Sequence, residues 1–280
     1  MKPAPFQMYR PESLADALRI VGDQADDVRL LAGGQSLVPL LNFRLATPAV
    51  LVDLNRVREL AGIKRDSPNL RIGAMTRQQD ILESPVVAAC APLLQKAAFH
   101  VGHRQTRSRG TIGGSITQAD PSAELPLALT ALDAILTIAS VKGTRHLPIR
   151  SFFRHAMVTD LAPDEILTDI TVRVAKPGQR CTFREFTRRH GDFAIVSAAI
   201  VDQAPGAAVA LGGIAPIPQL CPHVADALAG QPVSRDALDR AIDTDLSGID
   251  ANSDLQASGE FRRHLARVLI NDCLTDLGRP

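Results

Sequence analysis

Ala32-Gly33-Gly34-Gln35-Ser36-Leu37 and, further along, Thr111-Ile112-Gly113-Gly114-Ser115 are the stretches on which the reading of this chain turns. Each joins an apolar or extended segment to a polar one. Consecutive glycines reach positive φ at little steric cost and leave no Cβ in a ligand's way. Successive backbone N–H groups then converge on an anion such as a diphosphate, with the Ser36, Thr111 and Ser115 hydroxyls as further donors. Two such loops facing each other would grip one diphosphate from both sides. A single Gly-Gly is more often a tight turn. Neither stretch carries the Gly-Lys-Ser/Thr of a P-loop, and neither fits the GxGxxG dinucleotide fingerprint.

Outward from the first stretch, PESLADALRIV (11–21) predicts an amphipathic helix with Ser13 and Asp16 as a capping box. VRLLAGG (28–34) reads as a strand running into the glycines, SLVPLLNFRL (36–45) as a helix and AVLVDL (49–54) as a second strand. Residues 60–74 predict a hairpin turning at Ser67-Pro68-Asn69, followed by helices over 76–83, with Thr76 as cap, and over 85–99. The stretch 100–115 lacks periodicity and reads as a loop. LPLALTAL (125–132) is helical, 134–149 forms a hairpin, and 165–174 is a strand stopped by Lys176-Pro177-Gly178. Beyond that break, strands at 182–186, 193–201 and 207–215 precede helices near 222–230, 234–244 and 258–277. The expected units are 1–56, 57–176 and 177–280, in an α+β fold.

Composition narrows the function. The chain has 280 residues, with 31 Lys and Arg against 30 Asp and Glu, a formal net charge of +1. That balance argues against a nucleic-acid binder. Trp is absent and there is one Tyr, so recognition by aromatic stacking is poorly served. Cys90, Cys181, Cys221 and Cys273 stand far apart without a CxxC pair, which excludes the usual zinc and iron–sulfur spacings. The start of the chain is polar and no stretch reads as a membrane span, so a reducing cytoplasm is expected.

AGGQSLVPLLNFRLATPAVLVDLN (32–55) and RGTIGGSITQADPSAELPLAL (109–129) resemble the two signature segments of the FAD-binding medium subunit of molybdenum hydroxylases. FQMYRPESLADALRIV (6–21), RRHGDFAIVSAAI (188–200) and GEFRRHLARVLI (259–270) are similar to the family's start and its C-terminal domain. The resemblance implies an FAD-binding fold of the vanillyl-alcohol-oxidase (PCMH) type in two subdomains, plus a C-terminal α+β domain of three strands and helices. It implies FAD on Ala32, Gly33, Gly34, Gln35, Ser36 and Leu37, with Thr111, Ile112, Gly113, Gly114 and Ser115 as the second loop. Asp120 and Glu124 match acidic positions facing flavin-nucleotide hydroxyls, and carboxylates suit hydroxyls better than phosphates. For Asp120 the alternative is capping ahead of Pro121, and for Glu124 a first-turn helix carboxylate. Leu161 matches an apolar position by the isoalloxazine ring, and with few aromatics the ring cover is expected from aliphatic residues such as Ile112 and Leu161. A family lysine near the flavin aligns with Arg184 or Glu185.

The resemblance also implies partners: a large subunit with the molybdenum cofactor and a small subunit with [2Fe–2S] clusters, in a dimer of heterotrimers. Electrons would pass from the clusters to FAD and then to an external acceptor. The alternative is a nucleotide-binding assembly or regulatory protein without turnover, and a stand-alone flavin oxidase comes third. His100, His103, Arg104, Arg107 and Arg109 form a basic cluster that either neutralises a diphosphate, faces an acidic partner or is simply solvated. No Ser or Cys pairs with a His in a nucleophile motif, and no metal ligand set is expected. In the last helix, Phe261, Leu265, Val268 and Leu269 are expected to pack in the core.

Overall fold

The computed structural model describes residues 2–23, 27–203, 206–229 and 233–280. The N-terminal unit runs β1 (Gln7–Tyr9), α1 (Leu14–Asp23), β2 (Val28–Leu31), α2 (Leu37–Asn42) and β3 (Val50–Asp53). Both β1 and β2 pair in parallel with the central β3. The capping box of α1 forms, since Asp16 N–H donates to Ser13 Oγ and Ser13 Oγ donates back to the Asp16 carboxylate. Ala17 and Val21 on its inner face are fully buried against the sheet.

The second unit is built on a five-stranded antiparallel sheet. It contains β4 (Ile63–Asp66), β5 (Asn69–Gly73), α3 (Gln78–Glu83), α4 (Pro85–Cys90), α5 (Pro92–His100), α6 (Arg104–Arg107), α7 (Ile112–Gln118) and α8 (Glu124–Ala131). There follow β6 (Ile135–Ser140), β7 (Gly143–Pro148), the short ribbon β8 (Phe153–His155) and β9 (Val158–Thr159), and β10 (Ile166–Arg173). The sheet order is β4-β5-β10-β6-β7. Helix α8 is buried at every position. A helix buried on all sides needs cover on all sides, and α8 obtains it from α5, α7 and the C-terminal sheet.

The C-terminal unit has β11 (Arg180–Phe186), β12 (Val196–Asp202), β13 (Ala207–Gly212) and β14 (Gln219–Leu220) in one antiparallel sheet. Helices α9 (Pro222–Ala229), α10 (Arg235–Ser247) and α11 (Gly259–Asp276) cover it. Its core joins β12 and β13 to all three helices. The four cysteines are free, and no described helix is long and apolar enough to cross a membrane.

Four local expectations are corrected. The helix expected over 85–99 is two helices, split at Ala91 (φ −145°), because Pro92 removes a donor and pushes the residue before it out of the helical region. Thr76 does not cap a helix; its hydroxyl bridges the Gly62 N–H and carbonyl at 2.9 and 3.1 Å. The loop expected over 100–115 contains α6 and the start of α7. On α11, Leu265 and Leu269 are core but Phe261 and Val268 face outward. The end of the helix expected near 222–230 lies outside the described residues at Gly230.

Candidate functional site

A cavity of about 690 Å³ opens where the three units meet, inside the roughly 300–1,000 Å³ range of ligand pockets. Both glycine stretches reach it. They lie against each other: a Cβ on Gly33 would fall on the Arg109 carbonyl, and one on Gly114 would come within 3.6 Å of Ala32 Cβ. A polar bridge ties them together. Asn55 Nδ2 donates to the Ala32 carbonyl at 2.9 Å, Arg77 Nη2 to Asn55 Oδ1 at 2.6 Å, and Arg77 Nη1 to the Arg109 carbonyl.

The two stretches differ in their backbone donors. In the first, Gly34 adopts φ +74°. The N–H groups of Gly33, Gly34, Gln35, Ser36 and Leu37 find no acceptor among the described residues. The Ser36 hydroxyl likewise makes no bond there and does not cap α2. In the second, Gly113 and Gly114 sit in the first turn of α7, not in a loop. Ile112 N–H donates to Thr76 O at 3.1 Å and Gly113 N–H to Ala74 O at 2.8 Å. Gly114 N–H is capped by Thr111 Oγ1 at 3.0 Å, and Ser115 N–H donates to Thr111 O. The second stretch therefore offers the cavity a bare Cα at Gly114 and a Ser115 hydroxyl without a partner among the described residues, while its N–H groups from Ile112 to Ser115 are already engaged.

The other expected residues divide. Ala32, Thr111, Asp120, Glu124 and Leu161 line the cavity. Ile112 does not: its side chain is fully buried in the central core, pointing away from the cavity because α7 turns it toward α8 and the sheet. The aliphatic cover expected from it is absent. Asp120 accepts the Ser122 N–H at 2.9 Å and so closes a local turn beside the cavity. Glu124 is 4% exposed, and its carboxyl has no hydrogen-bond partner outside its own residue among the described residues. Burial, with Glu185 and Asp120 nearby, pushes it up to about 8, so in the free protein it holds a proton at neutral pH. Leu161 is positioned from behind: Arg145 clamps Glu165 at 2.7 Å and Asp160 at 2.9 Å, fixing the 159–165 loop.

Arg184 and Glu185 do not reach the cavity. Arg184 forks onto Asp276 at 2.7 and 2.8 Å, and Glu185 faces His100 at 3.1 Å. The side chains of the basic cluster are not at the cavity either; Arg107 holds the Val101 and Gly102 carbonyls and Gln79. Sequence reasoning missed Arg29, the cationic side chain among the lining residues, and Phe193, an exposed aromatic on the rim. The signal for Arg29 was a charge inside the apolar run VRLL; for Phe193 it was an aromatic directly after Gly-Asp in a chain poor in aromatics.

The cavity lining is thus polar, with donors at Arg29 and residues 33–37 and carboxyls at Asp120 and Glu124, joined by Glu165 and Asp192. That polarity suits an extended ligand with a diphosphate and hydroxyl groups. Residues 4–173 match the family described as the FAD binding domain in molybdopterin dehydrogenase, and residues 181–277 match the CO dehydrogenase flavoprotein C-terminal domain. The chain belongs to this family of molybdopterin-dehydrogenase flavoproteins.

Individual relatives follow. The 6-hydroxypseudooxynicotine dehydrogenase complex subunit alpha of Paenarthrobacter nicotinovorans is 35% identical over 98% of this chain and 95% of its own length. The carbon monoxide dehydrogenase medium chain of Afipia carboxidovorans is 32% identical over 96% of both. Among solved structures, carbon monoxide dehydrogenase from Hydrogenophaga pseudoflava superposes with TM-score 0.95 at 31% identity, over 98% of each chain. Quinoline 2-oxidoreductase from Pseudomonas putida 86 gives 0.92 at 34% identity, over 99% of this chain and 98% of that one.

Proposed function

We propose that this chain is the FAD-carrying electron-transfer subunit of a molybdenum hydroxylase, binding FAD across the cavity where its three units, 1–56, 57–176 and 177–280, meet. The observation that carries this reading is the run of unengaged N–H groups from Gly33 to Leu37, at a wall also formed by Arg29. Gly33 is buried and Gly34 and Leu37 half-buried, where a donor left without a partner is costly; a diphosphate supplies acceptors there and replaces water at the exposed Gln35 and Ser36. Ser36 and Ser115 add hydroxyls from both glycine stretches. Asp120 and Glu124 accept from, or in the case of protonated Glu124 also donate to, sugar hydroxyls. Leu161 and Phe193 exclude water from an apolar ring.

The flavin supplies the redox chemistry when bound; the chain binds it, orients it and controls its surroundings. With no clustered cysteines and no candidate metal cluster among the described residues, the electron donors belong to partners: a small subunit carrying [2Fe–2S] clusters and a large subunit carrying the molybdenum cofactor, in a dimer of heterotrimers. The relatives named as subunits of dehydrogenase complexes support that assembly, and none of these observations favours the non-redox alternative. Free cysteines suit a reducing cytoplasm.

The test is direct. The purified chain, as isolated or reconstituted, is expected to show flavin absorbance and to release FAD rather than FMN on acid treatment. A chain that takes up no FAD in either form overturns the reading.

A further inference from the structure

Arg262 enters the core from the first turn of α11, with its side chain only 5% exposed. A buried guanidinium is costly unless its donors are met; here Nη1 and Nη2 find acceptors, mostly backbone, while Nε has none among the described residues. Nη1 donates to the carbonyl oxygens of Ile195 and of Gly213, the latter at 2.9 Å. Nη2 reaches Asp254 Oδ2 at 2.7 Å, a half-exposed carboxylate that balances the charge from the solvent side.

The two carbonyls belong to residues that each anchor a part of the cavity wall: Ile195 the segment with Gly191, Asp192 and Phe193, and Gly213, through Pro121, the segment with Asp120, Ala123 and Glu124. Ile195 closes the 187–194 loop, which carries Gly191, Asp192 and Phe193 on the cavity wall. Its own N–H donates to Phe186 O at 2.8 Å, so the loop is tied across its base. Gly213, at φ +73°, donates its N–H to Pro121 O at 2.8 Å. Pro121 stands directly between Asp120 and the Glu124 turn. A Cβ on Gly213 would come within 2.6 Å of the Ile195 carbonyl, so the segments meet with no side chain between them. One cation thus holds together two carbonyls that would otherwise face each other unpaired.

We propose that Arg262, outside the cavity, is a positioning residue for the flavin site: it fixes the 187–194 loop and the Pro121–Glu124 segment so that Phe193 and Glu124 face the cofactor. This rests on the FAD reading above. A merely structural arginine would lower the melting temperature and leave the cavity of the folded protein unaltered. A positioning arginine changes the cavity before the fold is lost.

The experiment compares the full chain with Arg262→Met, Arg262→Lys and, as a destabilised reference, Ile242→Ala, whose side chain is fully buried in the C-terminal core away from the cavity. FAD affinity is read by flavin fluorescence. Loop order is read by trypsin cleavage after Arg188 and Arg189, both exposed, at a temperature where every variant is folded. Arg262→Met is expected to weaken FAD by about tenfold or more and to accelerate loop cleavage. Arg262→Lys should recover part of both. Ile242→Ala should match the loss of melting temperature with neither effect. If Arg262→Met does not fold, Arg262→Lys against Ile242→Ala carries the comparison. Affinity and cleavage that follow melting temperature alike in all variants overturn the proposal. Failure of the wild-type chain to bind FAD overturns the functional reading instead, and the cleavage rates still decide the role of Arg262.

Discussion

The two glycine pairs look alike in the sequence and do different physical work. Gly33-Gly34 leads a short loop whose N–H groups have no acceptor among the described residues. Gly113-Gly114 opens a helix whose N–H groups are consumed by Thr76, Ala74 and Thr111. Even within the pairs the reasons for glycine differ. Gly33 lacks a side chain because the Arg109 backbone occupies that space, and Gly113 because Ala74 does, with Cβ–O and Cβ–Cβ separations of 2.7 and 2.6 Å. Gly34 is there for its left-handed backbone. Gly34 and Gly114 both have Cβ positions whose close neighbours are side-chain atoms only, but Gly114, with Thr111 Oγ1 at 2.9 Å the nearest, lacks the positive φ of Gly34. A Gly-Gly dipeptide is therefore no single signal: one pair presents donors and the other mainly allows approach.

The largest effects should come from the contact between the pairs. Gly33→Ala forces two backbones apart, at an overpacking cost of about 1–3 kcal/mol or more. It should abolish FAD retention after gel filtration and lower the melting temperature. Gly114→Ala should fold normally and weaken FAD only in part. If Gly114→Ala proves the more damaging change, the contrast drawn here is wrong.

Next comes Glu124, the unsettled polar group on the second pair's side of the cavity. Its folded pKa, about 8 against an ordinary value of 4.5, lies above that of the unfolded chain. The folded state then keeps a proton the unfolded state has lost. Stability is full below pH 4.5 and falls, by up to about 1.4 kcal/mol per pH unit, as pH rises through about 8. In urea denaturation of FAD-free protein at pH 5, 7 and 9, Glu124→Gln should flatten that fall. Identical pH profiles for the two proteins would refute the burial argument.

Smaller effects separate the pairs further. Gly34→Ala places a side chain at φ +74°, costing about 1–2 kcal/mol, with a matching loss of FAD affinity by titration. Thr111→Val removes the α7 cap and about 1 kcal/mol of stability, with little change in affinity. Ser36→Ala, whose hydroxyl caps nothing, should do the reverse. Equal responses of Thr111→Val and Ser36→Ala in both measurements would erase the distinction between a structural and a ligand-facing stretch.

Much of the fold was legible because its signals are local. The Ser13–Asp16 box, the Ser67-Pro68-Asn69 turn and the Pro177-Gly178 break all act within a few residues. The break at Ala91 was equally local, written in Pro92. The site was only half legible. Loop residues such as Ser36 and Leu161 do line the cavity, but Ile112 turns inward because the helix phase of α7, not its place in a motif, sets its direction. Arg29 and Phe193 have local signals, a charge in VRLL and an aromatic after Gly-Asp, but the packing of separate units, not those signals, brings them to the cavity.

The sequence by itself determined the order of elements, the two glycine stretches, the family and the scarcity of aromatic cover. Only the tertiary structure decided which N–H groups remain free, because their competitors lie elsewhere in the chain: Thr76 and Ala74 take the donors of residues 112 and 113, and none of the described residues takes those of 33–37. It likewise decided that Glu124 keeps a proton, since desolvation depends on everything packed around α8 and not on the residues beside it.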